Sequence, residues 1–184
     1  MRQAILAVDD DPHMLKLLEK IIVGKTPYDI ETVENSLEVP RMLEAREYDL
    51  IITDLKMPGL SGLDILRFCR QNRRAEETIV ITAFAELETA LEAMSLGAGE
   101  YITKPFRKER LLLAVDGAMR RRSRRRELDA RLRAYELEPF ELAVEAFRGE
   151  YVRMLAQRSP GGTAEMAQRS GIPATMLDVL LKKD

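Results

Sequence analysis

Six polar residues stand where short apolar runs give way to turns. Asp9, Asp10 and Asp11 follow Ala4–Val8, Asp54 follows Leu50-Ile51-Ile52-Thr53, Thr82 ends Thr78–Thr82, and Lys104 follows Tyr101-Ile102-Thr103. If the runs are parallel strands, their carboxyl ends open on one crevice, the place where open α/β sheets bind ligands. Carboxylates drawn together repel one another, so some must protonate or a cation must bind. Hard oxygen ligands with water in the remaining positions suit Mg²⁺. A lysine and a hydroxyl beside such a cation suit an incoming phosphoryl group, whose oxygens the two positive charges neutralise. Any one of these residues could be an ordinary loop charge, but their joint recurrence at strand ends argues for one site.

The elements that would carry them alternate. Ala4–Val8 is a strand-length apolar run, and Met14, Leu15, Leu17, Leu18, Ile21 and Ile22 recur at helical spacing, with Pro12 in the first turn and Gly24 as the stop. A weaker strand is predicted over Asp29–Val33, and Ser36 can cap a second helix. The third strand, 49–53, leads through Met57-Pro58-Gly59 to a helix bearing Leu63, Ile65, Leu66 and Phe68. Thr78–Thr82 is rich in β-branched residues, Leu87–Leu96 is helical with Gly97 after it, and Tyr101–Thr103 is a short fifth strand. Five strands alternating with five helices in about 120 residues predict a doubly wound α/β domain with a parallel sheet.

Beyond it, nothing interrupts a helix over 118–138. Leu111, Ala114, Ala118, Arg121, Arg125, Leu128, Leu132 and Tyr135 follow spacings of three and four, which reads either as a short coiled-coil seam or as an exposed linker helix. After Pro139 come an amphipathic segment (Phe140 to Leu155), the loop Ser159-Pro160-Gly161-Gly162, and two short helices about Gly171-Ile172-Pro173, with Thr163 as a cap. That is a helix-turn-helix pattern.

The pieces Val8-Asp9-Asp10-Asp11, Asp54-Leu55-Lys56-Met57-Pro58-Gly59, Thr82-Ala83 and Lys104-Pro105-Phe106 resemble the receiver domain of bacterial two-component response regulators. The resemblance implies a flavodoxin-like receiver over 1–120, a helical linker over 121–138 and a Fis-type helix-turn-helix domain over 139–184, as in the nitrogen-regulator class. The ATPase module of that class has no counterpart here, since no Gly-rich phosphate loop occurs. It further implies phosphorylation of Asp54 by a sensor histidine kinase, and Mg²⁺ held by Asp10, by Asp54, by the Lys56 backbone carbonyl and by Asp9 through water. Thr82 and Lys104 would contact the phosphoryl group, and Tyr101 would be the switch aromatic. Asp11 falls one place past the acid pair and reads as a helix N-terminal charge. His13 reads as a surface residue. No catalysis beyond the chain's own phosphorylation and dephosphorylation is implied.

The 184 residues carry a net charge of −2, with 46% hydrophobic and 33% charged residues. No apolar run is long enough to span a bilayer, the N-terminus lacks a signal-peptide layout, and the single cysteine, Cys69, fits a reducing compartment, so a cytoplasmic protein is expected. Eight arginines between 120 and 133 face only Glu127 and Asp129, either a phosphate-binding patch or a solvated helix face. Two outputs stay open. In one, phosphorylation yields a homodimer whose helix-turn-helix units bind DNA through Arg169, Thr175, Lys182 and Lys183. In the other, the unit is a dimerisation or docking module, because Ala174, Met176, Asp178 and Val179 offer little to a polyanion.

Overall fold

The computed structural model describes residues 3–84, 86–136 and 140–181. The chain divides into two compact units, residues 1–126 and 127–184.

In the first unit the strands are β1 (Ala4–Val8), β2 (Asp29–Val33), β3 (Leu50–Asp54), β4 (Glu77–Thr82) and β5 (Glu100–Thr103), and they form a parallel sheet in the order β2-β1-β3-β4-β5. They alternate with α1 (Pro12–Lys25), α2 (Val39–Ala45), α3 (Gly62–Gln71), α4 (Leu87–Ser95) and α5 (Lys108–Glu136). Period-two alternation of β-branched and leucine side chains gives the sheet two apolar faces. On one face Ile5, Ala7, Leu50, Ile52, Ile79 and Ile81 pack against Leu15, Leu18 and Ile22 of α1 and Leu111, Ala114, Val115 and Ala118 of α5. On the other face Leu6, Val8 and Ile51 meet Val39, Leu43 and Ile65, while Val80 meets Leu66 and Ala93.

The register brings the carboxyl ends together. Val8 pairs with Thr53, Asp54 with Ile81 and Thr82 with Thr103, so the residues following β1 and ending β3 and β4 share one edge of the sheet.

Several local expectations are corrected. Gly24 does not stop α1, which runs to Lys25 and ends at Thr26, whose amide and hydroxyl both bond the Ile22 carbonyl. Ser36 does not cap α2. Asn35 caps a 3₁₀ turn over Ser36–Glu38 that precedes it, because the Ser36 hydroxyl is committed elsewhere. Of the positions spaced three and four apart along α5, those from Leu111 to Arg125 lie in the first unit. Leu111, Ala114 and Ala118 are core residues, and Arg121 and Arg125 reach Glu77 at 2.7 and 3.7 Å. Leu128 and Leu132 are exposed, and the Tyr135 side chain lies outside the described residues.

The second unit contains the end of α5 followed by α6 (Phe140–Gln157), α7 (Thr163–Ser170) and α8 (Ala174–Leu181). Val152, Met166 and Leu177 form its small core, flanked by Leu155, Ala167, Ile172 and Leu180. Thr163 is not the cap of α7 but its first residue. Gly162 takes the cap position at φ +76°, and Gly171 ends the helix in the left-handed region at φ +73°, where a Cβ would be strained.

Candidate functional site

The crevice at the carboxyl edge of the sheet gathers Asp9, Asp10 and Asp54, each with a carboxylate oxygen within 4.8 Å of the others. Asp9 and Asp54 are buried and Asp10 is exposed at the rim. Lys104, directly after β5, lays its ammonium between the two buried acids, with Nζ donating to Asp9 Oδ2 at 2.7 Å and to Asp54 Oδ2 at 3.1 Å. The Lys104 amide donates to the Thr82 carbonyl at 2.7 Å, which ties this turn to the end of β4.

Burial pushes the Asp9 carboxyl above its ordinary range, against the hydrogen bonds from Lys104 and from the Asp11 amide. Burial alone would lower the Lys104 ammonium, but the bonds and charges of Asp9 and Asp54 outweigh it and raise it. The crevice thus holds three carboxylates and one ammonium, which bonds Asp9 and Asp54. A set of hard oxygens short of positive charge fits a divalent cation. Asp11 is placed apart from the set. It caps α1, its Oδ1 accepting from the His13 amide at 2.9 Å, and that bond is the main cause of its lowered carboxyl pKa. His13 is exposed and its ring Nδ1 lies 3.1 Å from Asp11 Oδ1.

Asp54 Oδ1 accepts from the Leu55 amide at 2.6 Å, which leaves Oδ2 facing the crevice beside Lys104. The loop after β3 is tightly constrained. The Gly62 amide donates to the Leu55 carbonyl at 3.0 Å, and a Cβ on Gly62 would lie 2.4 Å from the Asp54 carbonyl oxygen, so only glycine lets α3 start this close. Ser61 and Asp64 then form a reciprocal capping box.

Phe84 connects the remaining predicted residues. Its amide donates to Thr82 Oγ1 at 3.1 Å, and its carbonyl accepts from the Tyr101 hydroxyl at 3.0 Å. The Lys56 ammonium stands 4.0 Å from its ring centroid and 3.9 Å from Glu86 Oε1. The loop after β3 and the loop after β4 thus meet across the crevice. Sequence reasoning singled out Thr82, Tyr101 and the Lys56 backbone, and it missed Phe84. An aromatic two places past a predicted strand end was the available signal.

A family model for the response regulator receiver domain matches residues 5–116. The chain belongs to the response regulator receiver family. It is 36% identical over 122 residues to the response regulator protein PilR of Pseudomonas aeruginosa, covering 66% of this chain and 27% of PilR. It is 31% identical over 118 residues to the DNA-binding transcriptional regulator NtrC of Escherichia coli K12, covering 64% of this chain and 25% of NtrC. The chain thus spans only about a quarter of the length of these relatives. Among solved structures, the receiver domain of a Luxo repressor protein from Vibrio parahaemolyticus matches with a TM-score of 0.67 at 29% identity, covering 70% of this chain and 98% of that one. The beryllofluoride-activated NtrC4 receiver domain dimer matches with a TM-score of 0.61 at 28% identity, covering 65% and 98%.

Outside the receiver, two of the four residues expected to contact DNA, Arg169 and Thr175, fall among the described residues. Arg169, on α7, is engaged with the Arg158 carbonyl and lies 3.5 Å from Glu165 Oε1. Thr175 is exposed on α8, and Lys182 and Lys183 lie outside the described residues. Much of the arginine run has acidic partners within the first unit. Arg121 and Arg125 reach Glu77, and Arg122 and Arg126 reach the buried Asp49 at 3.7 and 2.7 Å. Among the described residues no helix is long and apolar enough to cross a membrane.

Proposed function

We propose that this chain is the phospho-accepting switch of a two-component phosphorelay, with Asp54 as the acceptor. The observation that carries the reading is the Lys104 ammonium bridging Asp9 and Asp54 at the converging strand ends. A carboxylate oxygen of Asp54 attacks the phosphorus of a phosphohistidine on a sensor kinase. An O–P bond forms, the P–N bond breaks, and the imidazole leaves to be reprotonated. Asp9, Asp10, Asp54 and the Lys56 carbonyl would hold Mg²⁺, which supplies charge neutralisation for the transferring group. Lys104 exchanges an acid partner for a phosphoryl oxygen, and Thr82 turns its hydroxyl from the Phe84 amide to another. Breaking the Thr82–Phe84 bond frees the loop that Tyr101 grips, so a local charge change moves a packed aromatic. The protein acts as a cytoplasmic switch on its own aspartate rather than as an enzyme on an external substrate.

For the output, the family expectation is a homodimer whose α7–α8 unit is a helix-turn-helix that binds DNA and regulates transcription. A second reading, a dimerisation or docking module without DNA binding, is favoured by two specific observations. Arg121, Arg122, Arg125 and Arg126 are engaged by Glu77 and Asp49, and Met176 stands half-exposed on α8 beside Thr175. Gel-shift titration against genomic fragments, with and without beryllofluoride, separates the two. Competition with nonspecific DNA at moderate salt supports the first, and failure to compete supports the second. Phosphotransfer tests the acceptor: the wild type should gain one phosphate that alkali and hydroxylamine release and Asp54→Asn none, and stoichiometric labelling of Asp54→Asn refutes the assignment.

A further inference from the structure

Ser36 is a fully buried hydroxyl near the crevice that the chemistry above leaves unused. It has no exposed surface, and it sits in the turn between β2 and α2, more than twenty residues from the loop it touches. Its Oγ donates to the Pro58 carbonyl at 2.7 Å and accepts from the Leu60 amide at 2.8 Å. One side chain thus bridges two backbone groups on either side of Gly59. Local need does not explain the hydroxyl, because Asn35 already caps this turn through the Leu37 amide at 3.2 Å.

The loop is anchored at both ends, by the Gly62 amide on the Leu55 carbonyl and by the Ser61–Asp64 capping box, and Ser36 supplies the hydrogen bonds at its middle. Pro58 has no N–H to donate, and Gly59 sits at φ +84°, where glycine carries the least conformational restraint. The fit is close: a Cβ on Gly59 would lie 2.9 Å from Ser36 Oγ and 2.9 Å from Leu37 Cγ. Upstream of the bridge lie Asp54, with its Oδ1 on the Leu55 amide, and Lys56. Downstream the loop is anchored by the Gly62 amide on the Leu55 carbonyl. Ser36 therefore fixes, from another element, the middle of the segment on which two of the proposed cation ligands are carried.

We infer that Ser36 is a positioning residue for the phospho-acceptor pocket, its hydroxyl holding the Lys56–Leu60 loop in the geometry that binds a divalent cation. This rests on the reading of Asp9, Asp10, Asp54 and the Lys56 carbonyl as a Mg²⁺ site. Replacing the hydroxyl with hydrogen leaves the Leu60 N–H and the Pro58 carbonyl without their buried partner, and the loop gains freedom where the pocket needs order. Ser36 holds the loop two residues past the Lys56 carbonyl rather than bonding a ligand itself, so Ser36→Ala is expected to weaken Mg²⁺ binding by about tenfold, the low end of what direct outer partners of metal ligands contribute.

The test uses the full chain, titrated with Mg²⁺ alone by calorimetry, with amide hydrogen exchange at Leu60 and thermal unfolding measured on the same samples. Asn35→Ala serves as the structural control, since it removes the cap of the same turn without touching the loop. Ser36→Ala should raise the Mg²⁺ Kd about tenfold and speed exchange at Leu60, whereas Asn35→Ala should leave the Kd within about twofold of wild type. Ser36→Cys, of nearly the same size but a weak hydrogen bonder, should shift the Kd in the same direction by a smaller factor, and it stands in if the alanine variant does not fold. A Ser36→Ala Kd equal to wild type overturns the inference, as does an equal shift in Asn35→Ala. A wild-type chain that does not bind Mg²⁺ overturns the site reading and the inference together, which separates that failure from the other two.

Discussion

Replacing Asp49 should cost the first unit far more than a surface acid would, and the reason lies at the end of the sheet away from the crevice. Asp49 is 2% exposed. Its Oδ2 accepts from the Ala4 amide at 2.9 Å, and its Oδ1 lies 2.7 Å from Arg126 Nη1 and 3.7 Å from Arg122 Nε. The Arg122 side chain is itself only 7% exposed, and its Nε and Asp49 Oδ1 face each other without an aligned hydrogen bond. Asp49→Ala therefore strands a buried guanidinium, and removing one member of a buried pair costs about 3–5 kcal/mol. Arg126 is 42% exposed and solvent-screened, so its share is below about 1 kcal/mol. The loss should be about 3 kcal/mol, or on the order of 10 °C in Tm for a unit of this size. Adding Arg122→Met removes the stranded charge, so the double variant should recover about 1–2 kcal/mol. Urea unfolding of the full chain, followed by circular dichroism across the four-membered cycle, gives both numbers. A loss under about 1 kcal/mol for Asp49→Ala, or no recovery in the double variant, would refute the claim that these arginines belong to the receiver fold.

Other consequences can be checked more simply. Burial pushes the Cys69 thiol up to about 12, so iodoacetamide should leave it unmodified in the native chain at pH 8 and alkylate it readily in urea. The Ser61 hydroxyl and amide hold the Asp64 carboxyl below its ordinary range, which adds stability above the unfolded value and loses it as pH falls through the lowered folded value. Asp64→Asn should accordingly flatten the acid limb of a stability–pH profile. Gly62→Ala drives a Cβ against the Asp54 carbonyl, and overpacking of this kind costs about 1–3 kcal/mol. It should also slow acceptance of phosphate from acetyl phosphate, and an unaltered rate would show that the close approach of α3 does not position Asp54.

The receiver fold was legible because its signals are local and repeated. Apolar runs of strand length, each ended by a polar residue and followed by a helical period, dictate a parallel sheet and its polar edge. Asp9, Asp10, Asp54 and Lys104 were legible as a group for the same reason, since each lies at or just past the carboxyl end of a strand. What the sequence hid depends on partners far along the chain. Ser36 looks like a helix cap until Pro58 and Leu60 are brought against it. Arg121 and Arg125 keep heptad spacing, yet Glu77 at the start of β4 engages both. Phe84 carries no motif, and its role comes from a backbone that faces Thr82 on one side and Tyr101 on the other.

The central claim is that Asp54 itself takes the phosphoryl group, and borohydride trapping tests it most directly. An aspartyl phosphate is a mixed anhydride that borohydride reduces to the alcohol, so a phosphorylated aspartate becomes homoserine and an untouched carboxylate does not react. Phosphorylation of the full chain in the presence of Mg²⁺, reduction with tritiated borohydride and peptide mapping should place the label at position 54 alone. Label at Asp9, at Asp10 or at any residue outside the crevice, with position 54 unlabelled, would contradict the account.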